Sequence, residues 1–404
     1  MRCFQPAAQK LPPRSLELAG VQRGTPPLLI QDQSLLCPIL QETFSMYDRM
    51  SARELFLRSG VSDRLYSTFL EPVLLALLFV PLEQLSAATA LAVLYNYVLA
   101  HQPDFDVRWA RGSISELIFQ PWVKRMKERG VDVRGGMRIT GIMTSSSLEG
   151  VVARGLTAEA SGKALEFQAD YVVLALGVKA LQAVARSTPD IAGLDMFRRL
   201  NNFEGVSVMA VRLWFDRRLQ MRTPSNVLSG IDPGVGGTFY NLNALQDEYR
   251  NATGSVIEVD LYNAALFMGM TDSQIVDEIQ HRYLSRFVPQ ARSAVLVDYS
   301  VIKVPNGVTK FSPGSYQWMP TTSTPVSNLF LAGDHISHGP SAHGARGLSQ
   351  EKALVTGYLA ALACAKDAGV KVYPSSNPLD VEPDEAHVAW AKDLLLAARQ
   401  AGMA

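Results

Sequence analysis

The run NLFLAGDHISHGPSAHGARGLSQEKALVTGYLAA, Asn328 to Ala361, gathers the residues best able to do chemistry. A short apolar stretch ends in Gly333 and Asp334, a glycine-rich loop comes next, and Ser349 and Gln350 open a second apolar stretch. Read as strand, loop and helix, this order delivers a carboxylate to the carboxyl end of a strand. Ligands of open α/β sheets sit there. A carboxylate in that place accepts hydrogen bonds from sugar hydroxyls. The helix start offers free amides and the positive end of a dipole, which favour an anion. Ala353, Gly357, Ala360 and Ala361 are small enough for close helix–sheet packing. His335, His338 and His343 fall in the loop. Imidazole suits zinc or iron, but no fourth-ligand pattern accompanies these three. The other reading is that they line a ligand pocket. The plain alternative for the whole segment is an ordinary strand–loop–helix with a turn aspartate.

Other candidates carry less. Gly339 to Gly344 is not a nucleophile elbow, because its second glycine comes one position late. Asn251-Ala252-Thr253 spells a glycosylation sequon, with no secretory signal beside it. Asp106 and Arg108 precede Trp109-Ala110-Arg111-Gly112 and read as a solvated ion pair.

The elements that must position these residues are read from periodicity and punctuation. Ser51 with Glu54 and Ser113 with Glu116 are capping boxes. Ser62 to Val80 and Ser86 to His101 read as two apolar helices, suited equally to core packing and to a membrane surface or long apolar ligand. The helix after Ser113 should kink at Pro121. From Val131 the pattern turns to short β-branched runs: 131–133, 138–142, 151–153 and 164–167. ADYVVLALG, Ala169 to Gly177, reads as a strand covered on both faces, and a helix is expected directly after it over 179–186. Strands are expected over 206–215, 255–262 and 295–304, and an amphipathic helix over 271–287. A helix runs from about Ser349 to Lys366, and the last twenty residues read as an exposed helix.

Composition narrows the class. The 404 residues are 48% apolar and 19% charged, which excludes wholesale disorder. Lys and Arg total 38 and so do Asp and Glu, so no positive field invites nucleic acid. Three scattered cysteines make no disulfide framework and no zinc site.

The Asn328 segment resembles the C-terminal flavin motif of the FAD-dependent amine oxidase and carotenoid desaturase superfamily. Further pieces resemble carotene desaturases of the zeta-carotene and phytoene kind. They are FLEPVLLALLFVPLEQLSAA (Phe69–Ala88), FDVRWARGSISELIFQPWVKRM (Phe105–Met126), ADYVVLALGVKAL (Ala169–Leu181), AVRLWFDR (Ala210–Arg217) and VTKFSPGSYQWMP (Val308–Pro320). They occur in the family's order, from about residue 45 to about 366. The resemblance implies an α/β fold in discontinuous pieces. A Rossmann-like FAD/NAD(P)-binding part would come from 105–195 and 323–366, and a mixed substrate part from 45–104 and 196–322. Residues 1–44 would be an irregular lead and 367–404 a tail. It also implies roles for FAD. Gly333 and Asp334 match the strand end that holds the ribityl–pyrophosphate part, and Ser349 and Gln350 the helix start beside the isoalloxazine. Ile139 matches the strand along the adenine side, Ala175 and Gly177 the strand end near the dinucleotide, and Gly112 a tight turn by the cofactor.

One departure is large. The family opens with a βαβ unit carrying G-x-G-x-x-G, which cradles the pyrophosphate. Neither Gly135-Gly136 nor Gly234 to Gly237 has that spacing or context. The fold is therefore expected to be N-terminally incomplete, through truncation or through loss in a paralogue. The resemblance implies desaturation of an apolar polyene by hydride transfer to flavin, with a membrane surface and a quinone acceptor, in a plastid. An amine-oxidase-type enzyme and a non-catalytic remnant binding an isoprenoid or a partner remain the alternatives. No catalytic residue and no metal ligand is assigned.

Overall fold

The computed structural model describes residues 41–95, 108–148, 150–337, 347–372 and 385–400. A helical layer comes first. Its helices are α1 (Gln41–Asp48), α2 (Ala52–Arg58), α3 (Asp63–Leu65, a wider π turn Tyr66–Leu70, then Glu71–Leu78) and α4 (Ala87–Leu94). Ser51 caps α2 by accepting from the Glu54 amide at 3.1 Å, as its place in a capping box requires. Every residue of α4 is buried, and Leu74 and Leu78 of α3 pack with Leu82, Leu85 and Val93 in one cluster. For the described parts of these helices the core reading holds. No helix among the described residues is long and apolar enough to cross a membrane.

Helix α5 (π turn Ser115–Phe119, then Gln120–Glu128) is next. Pro72 of α3 and Pro121 of α5 each stand just beyond a π turn. Proline lacks a donor and crowds the carbonyl four residues back. A locally wider turn absorbs both defects, and this is the form that the expected kink takes.

Strands β1 (Arg138–Ser147), β2 (Gly150–Ala160) and β3 (Lys163–Gln168) make an antiparallel meander. The expected strand at 131–133 does not form. Val131 and Val133 are exposed, Asp132 pairs with Arg134, and no neighbouring chain supplies the ladder. Next come β4 (Val172–Leu174) and α6 (Val178–Arg186).

The largest sheet has five antiparallel strands in the order β6-β7-β8-β5-β9. They are β5 (Glu204–Phe215), β6 (Ser225–Leu228), β7 (Gly236–Asn241), β8 (Val256–Tyr262) and β9 (Leu296–Lys310). Strict alternation on β5 turns Met209, Val211, Leu213 and Phe215 to one face. That face buries Ile275, Val276, Ile279 and Tyr283 of α7 (Asp272–Glu278 continuing through Ile279–Leu284). Thr271 closes the start of α7 with a reciprocal capping box.

The chain then returns as β10 (Leu329–Leu331), which pairs in parallel with β4. Helix α8 (Gln350–Asp367) packs on β10, burying Ala360 against Phe330 and Ala332. The expected continuous strand over Ala169–Gly177 shrinks to three residues, and Val173 at its centre is 43% exposed. Among the described residues β4 and β10 have no further parallel neighbour. The last helix, α9 (Ala386–Gln400), is docked rather than free: Val388 is buried and the Lys392 ammonium donates to the Tyr95 hydroxyl at 3.1 Å. The molecule is thus α/β with a separate antiparallel sheet, in agreement with the class read from sequence.

Candidate functional site

The carboxyl ends of β4 and β10 lie side by side, because Leu331 pairs with Leu174. The segments that leave the two strands converge. Gly177 caps α6, and a Cβ built on it would lie 3.8 Å from the Gly307 carbonyl oxygen on β9. Two residues on, Thr309 donates its hydroxyl to Asp334 Oδ1 at 3.0 Å. The end of β9 therefore threads between the two strand ends and ties them together.

Gly333 takes φ +146°, open to glycine and strained for other residues. A Cβ on it would sit 2.7 Å from the His335 ring. Its amide donates to Thr356 Oγ1 of α8 at 2.9 Å, and that hydroxyl returns to the Lys352 carbonyl at 3.0 Å. The strand end is thus fixed to the second turn of the helix. Ser349 caps α8, its Oγ accepting from the Glu351 and Lys352 amides at 3.1 and 3.3 Å. Of the first amides of α8, the one at Gln350 has no acceptor among the described residues.

The electrostatics favour a fixed negative charge at Asp334. Burial pushes its carboxyl up, but the His335 ring, the Lys352 charge and the Thr309 hydroxyl outweigh burial and hold it below the usual carboxylate range. His335 Nδ1 lies 3.5 Å from Asp334 Oδ1, an electrostatic contact too long to count as a good hydrogen bond. His335 is fully buried and neither ring nitrogen has a hydrogen-bond partner. The Lys352 ammonium is also fully buried, 5.1 Å above the Phe311 ring.

Of the residues read from sequence, Ala175, Gly177, Gly333, Asp334, Ser349 and Gln350 lie on the strand ends and helix start that meet here. Ile139 and Gly112 do not. Ile139 pairs with Ala158 in β1, beside the far end of α6, where Ser187 binds the Thr140 carbonyl and Thr188 accepts from the Ile142 amide. The Ile139 side chain packs on the cluster beneath the two strands, with Leu174 and Leu331. Gly112 belongs to a turn held on the five-stranded sheet, where Arg111 binds the Ala244 carbonyl at 2.9 Å and the Asp247 carboxylate, and Trp109 packs on Tyr240. His338 and His343 lie outside the described residues, so the three-histidine readings rest on His335 alone.

Sequence reasoning missed Thr309, Lys352, Thr356 and Asn328. Lys352 and Thr356 carried a signal, being four apart on one face of a helix already singled out. Thr309 and Asn328 lie in stretches already quoted, but nothing in either residue's type or spacing marked its role. Asn328 adopts φ +60°, and its side-chain amide both donates to and accepts from the Ala153 backbone at 2.9 Å, clamping the meander to β10.

The donor set suits the sugar and flavin half of a dinucleotide: a charged carboxylate for hydroxyls, and a helix start with a buried cation for an anionic edge. Among the described residues no glycine-rich strand-to-helix turn offers a cradle for the pyrophosphate.

Comparison with known proteins agrees with this geometry. The model of the flavin containing amine oxidoreductases matches residues 31–362. The 15-cis-phytoene desaturase of Solanum lycopersicum is 26% identical over 336 residues, covering 82% of this chain and 55% of that protein. The zeta-carotene desaturase of Synechocystis is 24% identical over 322 residues, covering 73% and 62%. The chain thus spans little more than half the length of these curated relatives. Among solved structures, cyclohexylamine oxidase from Brevibacterium oxydans superposes with a TM-score of 0.56 at 13% identity, covering 87% of this chain and 77% of that one, which shows a shared fold. With more than three quarters of its length matched and a strand-end carboxylate set against a capped helix start, the chain belongs to the flavin containing amine oxidoreductase family.

Proposed function

We propose that this chain binds FAD and takes part in the desaturation of a long isoprenoid such as a carotene. The observation that carries this reading is the meeting of Asp334 with the start of α8 at the carboxyl ends of β4 and β10. The desaturases among its relatives point the same way. When bound, the flavin supplies the chemistry, acceptance of a hydride from an allylic C–H. The residues of the chain do the rest. Asp334, already ionised and anchored on one oxygen by Thr309, offers its other oxygen to ribityl hydroxyls. Gln350 presents an amide and the dipole of α8 to the flavin edge that becomes negative on reduction. Gly177 keeps the second strand end clear of side chain. A polyene has no heteroatom to grip, so positioning and exclusion of water are what the protein adds. A quinone acceptor, contact with a membrane surface and a plastid setting belong to this proposal as well.

One observation favours a second reading. The lack of a pyrophosphate cradle among the described residues suits a protein that holds an isoprenoid or a partner without turning it over. The visible spectrum separates the two. Expressed with FAD available and purified, the chain is expected to show flavin bands near one equivalent, reduced by Asp334→Ala. A folded, colourless protein overturns the oxidoreductase reading in favour of the second.

A further inference from the structure

Helix α5 has no cover among the described residues. None of its residues from Ser115 to Glu128 is buried, and Ile114, Leu117, Ile118, Phe119 and Trp122 are 45–52% exposed. Only its start is tethered. Arg111 holds the preceding turn on the Ala244 carbonyl and the Asp247 carboxylate, and Leu117 packs over Gly112, 3.4 Å from where a Cβ would stand.

The apolar residues are ordered. Ile114, Ile118, Trp122 and Met126 are four apart, with Phe119 and Val123 beside them, so they make one stripe. At about 100° per residue, Arg125 and Lys127 fall at the two margins of this stripe, while Gln120, Lys124 and Glu128 fall opposite it. Arg129 follows at the C-cap. Four cations thus stand against Glu116 and Glu128, in a chain whose net charge is zero. Among the described residues none of the four is in an ion pair, whereas Arg111, Arg134 and Arg138 on either side are paired with Asp247, Asp132 and Glu159.

A protein partner over such a stripe has to match both margins with carboxylates or leave cations desolvated. Lipid phosphates match both margins at once. The long stems of Arg and Lys lie along apolar surface while their heads stay in the polar layer, and tryptophan favours that same level. The two parts of α5 hold five and nine residues, together about 21 Å at 1.5 Å per residue. That is too short to cross a hydrocarbon core of about 30 Å and suits a helix lying in the interface. Helices α3 and α4, over their described parts, are spent on the core.

We propose that α5 is an interfacial helix that seats the chain on an anionic bilayer surface, its stripe in the outer hydrocarbon and its marginal cations on lipid phosphates. This deepens the reading above by naming the element and the lipid charge behind the membrane contact. It rests on that reading for its purpose, since an isoprenoid hydrocarbon resides in lipid and has to be drawn from it. The test reads lipid binding with no flavin and no turnover, so the two fail separately.

The probe is sedimentation of the full chain with sucrose-loaded vesicles, of phosphatidylcholine alone or of phosphatidylcholine mixed with phosphatidylglycerol. The mixed vesicles are expected to bind about tenfold more tightly, and added salt to erase most of the difference. Arg125→Gln with Lys127→Gln should lower affinity for the mixed vesicles about fivefold for each cation removed and leave phosphatidylcholine binding unchanged. Leu117→Ser with Ile118→Ser and Trp122→Gln should remove binding to both. These side chains are all at least half outside the packed structure, so neither variant is expected to lower the melting temperature. Tryptophan emission of the unaltered chain should shift to the blue on the mixed vesicles, and Trp122→Phe should remove that shift while the chain still sediments. No sedimentation with the mixed vesicles, equal affinity for both kinds, or binding unmoved by either variant overturns the proposal. So does a concentration-dependent dimer, seen by light scattering, that the Leu117, Ile118 and Trp122 variant dissociates while lipid binding is absent, since it assigns the stripe to a second copy.

Discussion

At the scale of single residues, the strand end after β10 is set by one glycine. Gly333 holds a positive φ with the His335 ring where a side chain would begin. Gly333→Ala is expected to cost about 1–3 kcal/mol, since strained backbone and steric conflict coincide. Replacing His335 by Ala in the same chain should recover only the steric share, because the φ strain stays. Urea unfolding of the single and double variants checks this, and full recovery would show that φ contributes nothing. The same glycine was legible in sequence as part of a Gly-Asp strand end. Its conflict with a ring two residues away was not, because the loop path decides where His335 points. Thr309 is the converse case. It lies in the family-like stretch Val308–Pro320 but nothing there assigns it a role, yet it orients Asp334 from 25 residues upstream.

At the scale of elements, α8 was legible almost residue for residue. Ser349 caps it and Gln350–Asp367 form it, against an expectation of Ser349 to Lys366. Local rules suffice for such a helix: a side chain that accepts at the start, good helix formers and small packing residues within. Two variants divide its roles. Ser349→Ala should cost about 1 kcal/mol, the ordinary value of a cap. Thr356→Val should cost more, about 1–3 kcal/mol, because it strands the buried Gly333 amide. Guanidinium melts of both should rank them in that order, and the reverse order would mean that the helix end outweighs the helix–strand tie. The strand at 131–133 shows where local rules stop. Its β-branched spelling was correct, but a strand exists only where another strand pairs with it.

At the scale of the whole molecule, apolar surface is unevenly distributed. Helices α3 and α4, the most apolar segments of the sequence, supply the core of the first layer. By contrast, α5 buries none of its residues: Leu117, Ile118, Phe119 and Trp122 are each about half exposed. A contiguous patch of this kind binds apolar dyes. The chain is therefore expected to enhance 1-anilinonaphthalene-8-sulfonate fluorescence while folded, and Leu117→Ser with Ile118→Ser and Trp122→Gln should remove most of that signal without lowering the melting temperature. A signal that persists would place the dye elsewhere. The sequence by itself determined the class of fold, the order of elements and the Gly-Asp and Ser-Gln pairs at the candidate site, because caps, turn residues and alternation act over a few residues. Only the tertiary structure decided that Thr309 reaches Asp334, that Lys352 is buried, and that the turn before Gly112 is held by Ala244 and Asp247. Those relations depend on strand register and on the path of β9, and register is fixed by contacts between segments distant in the chain.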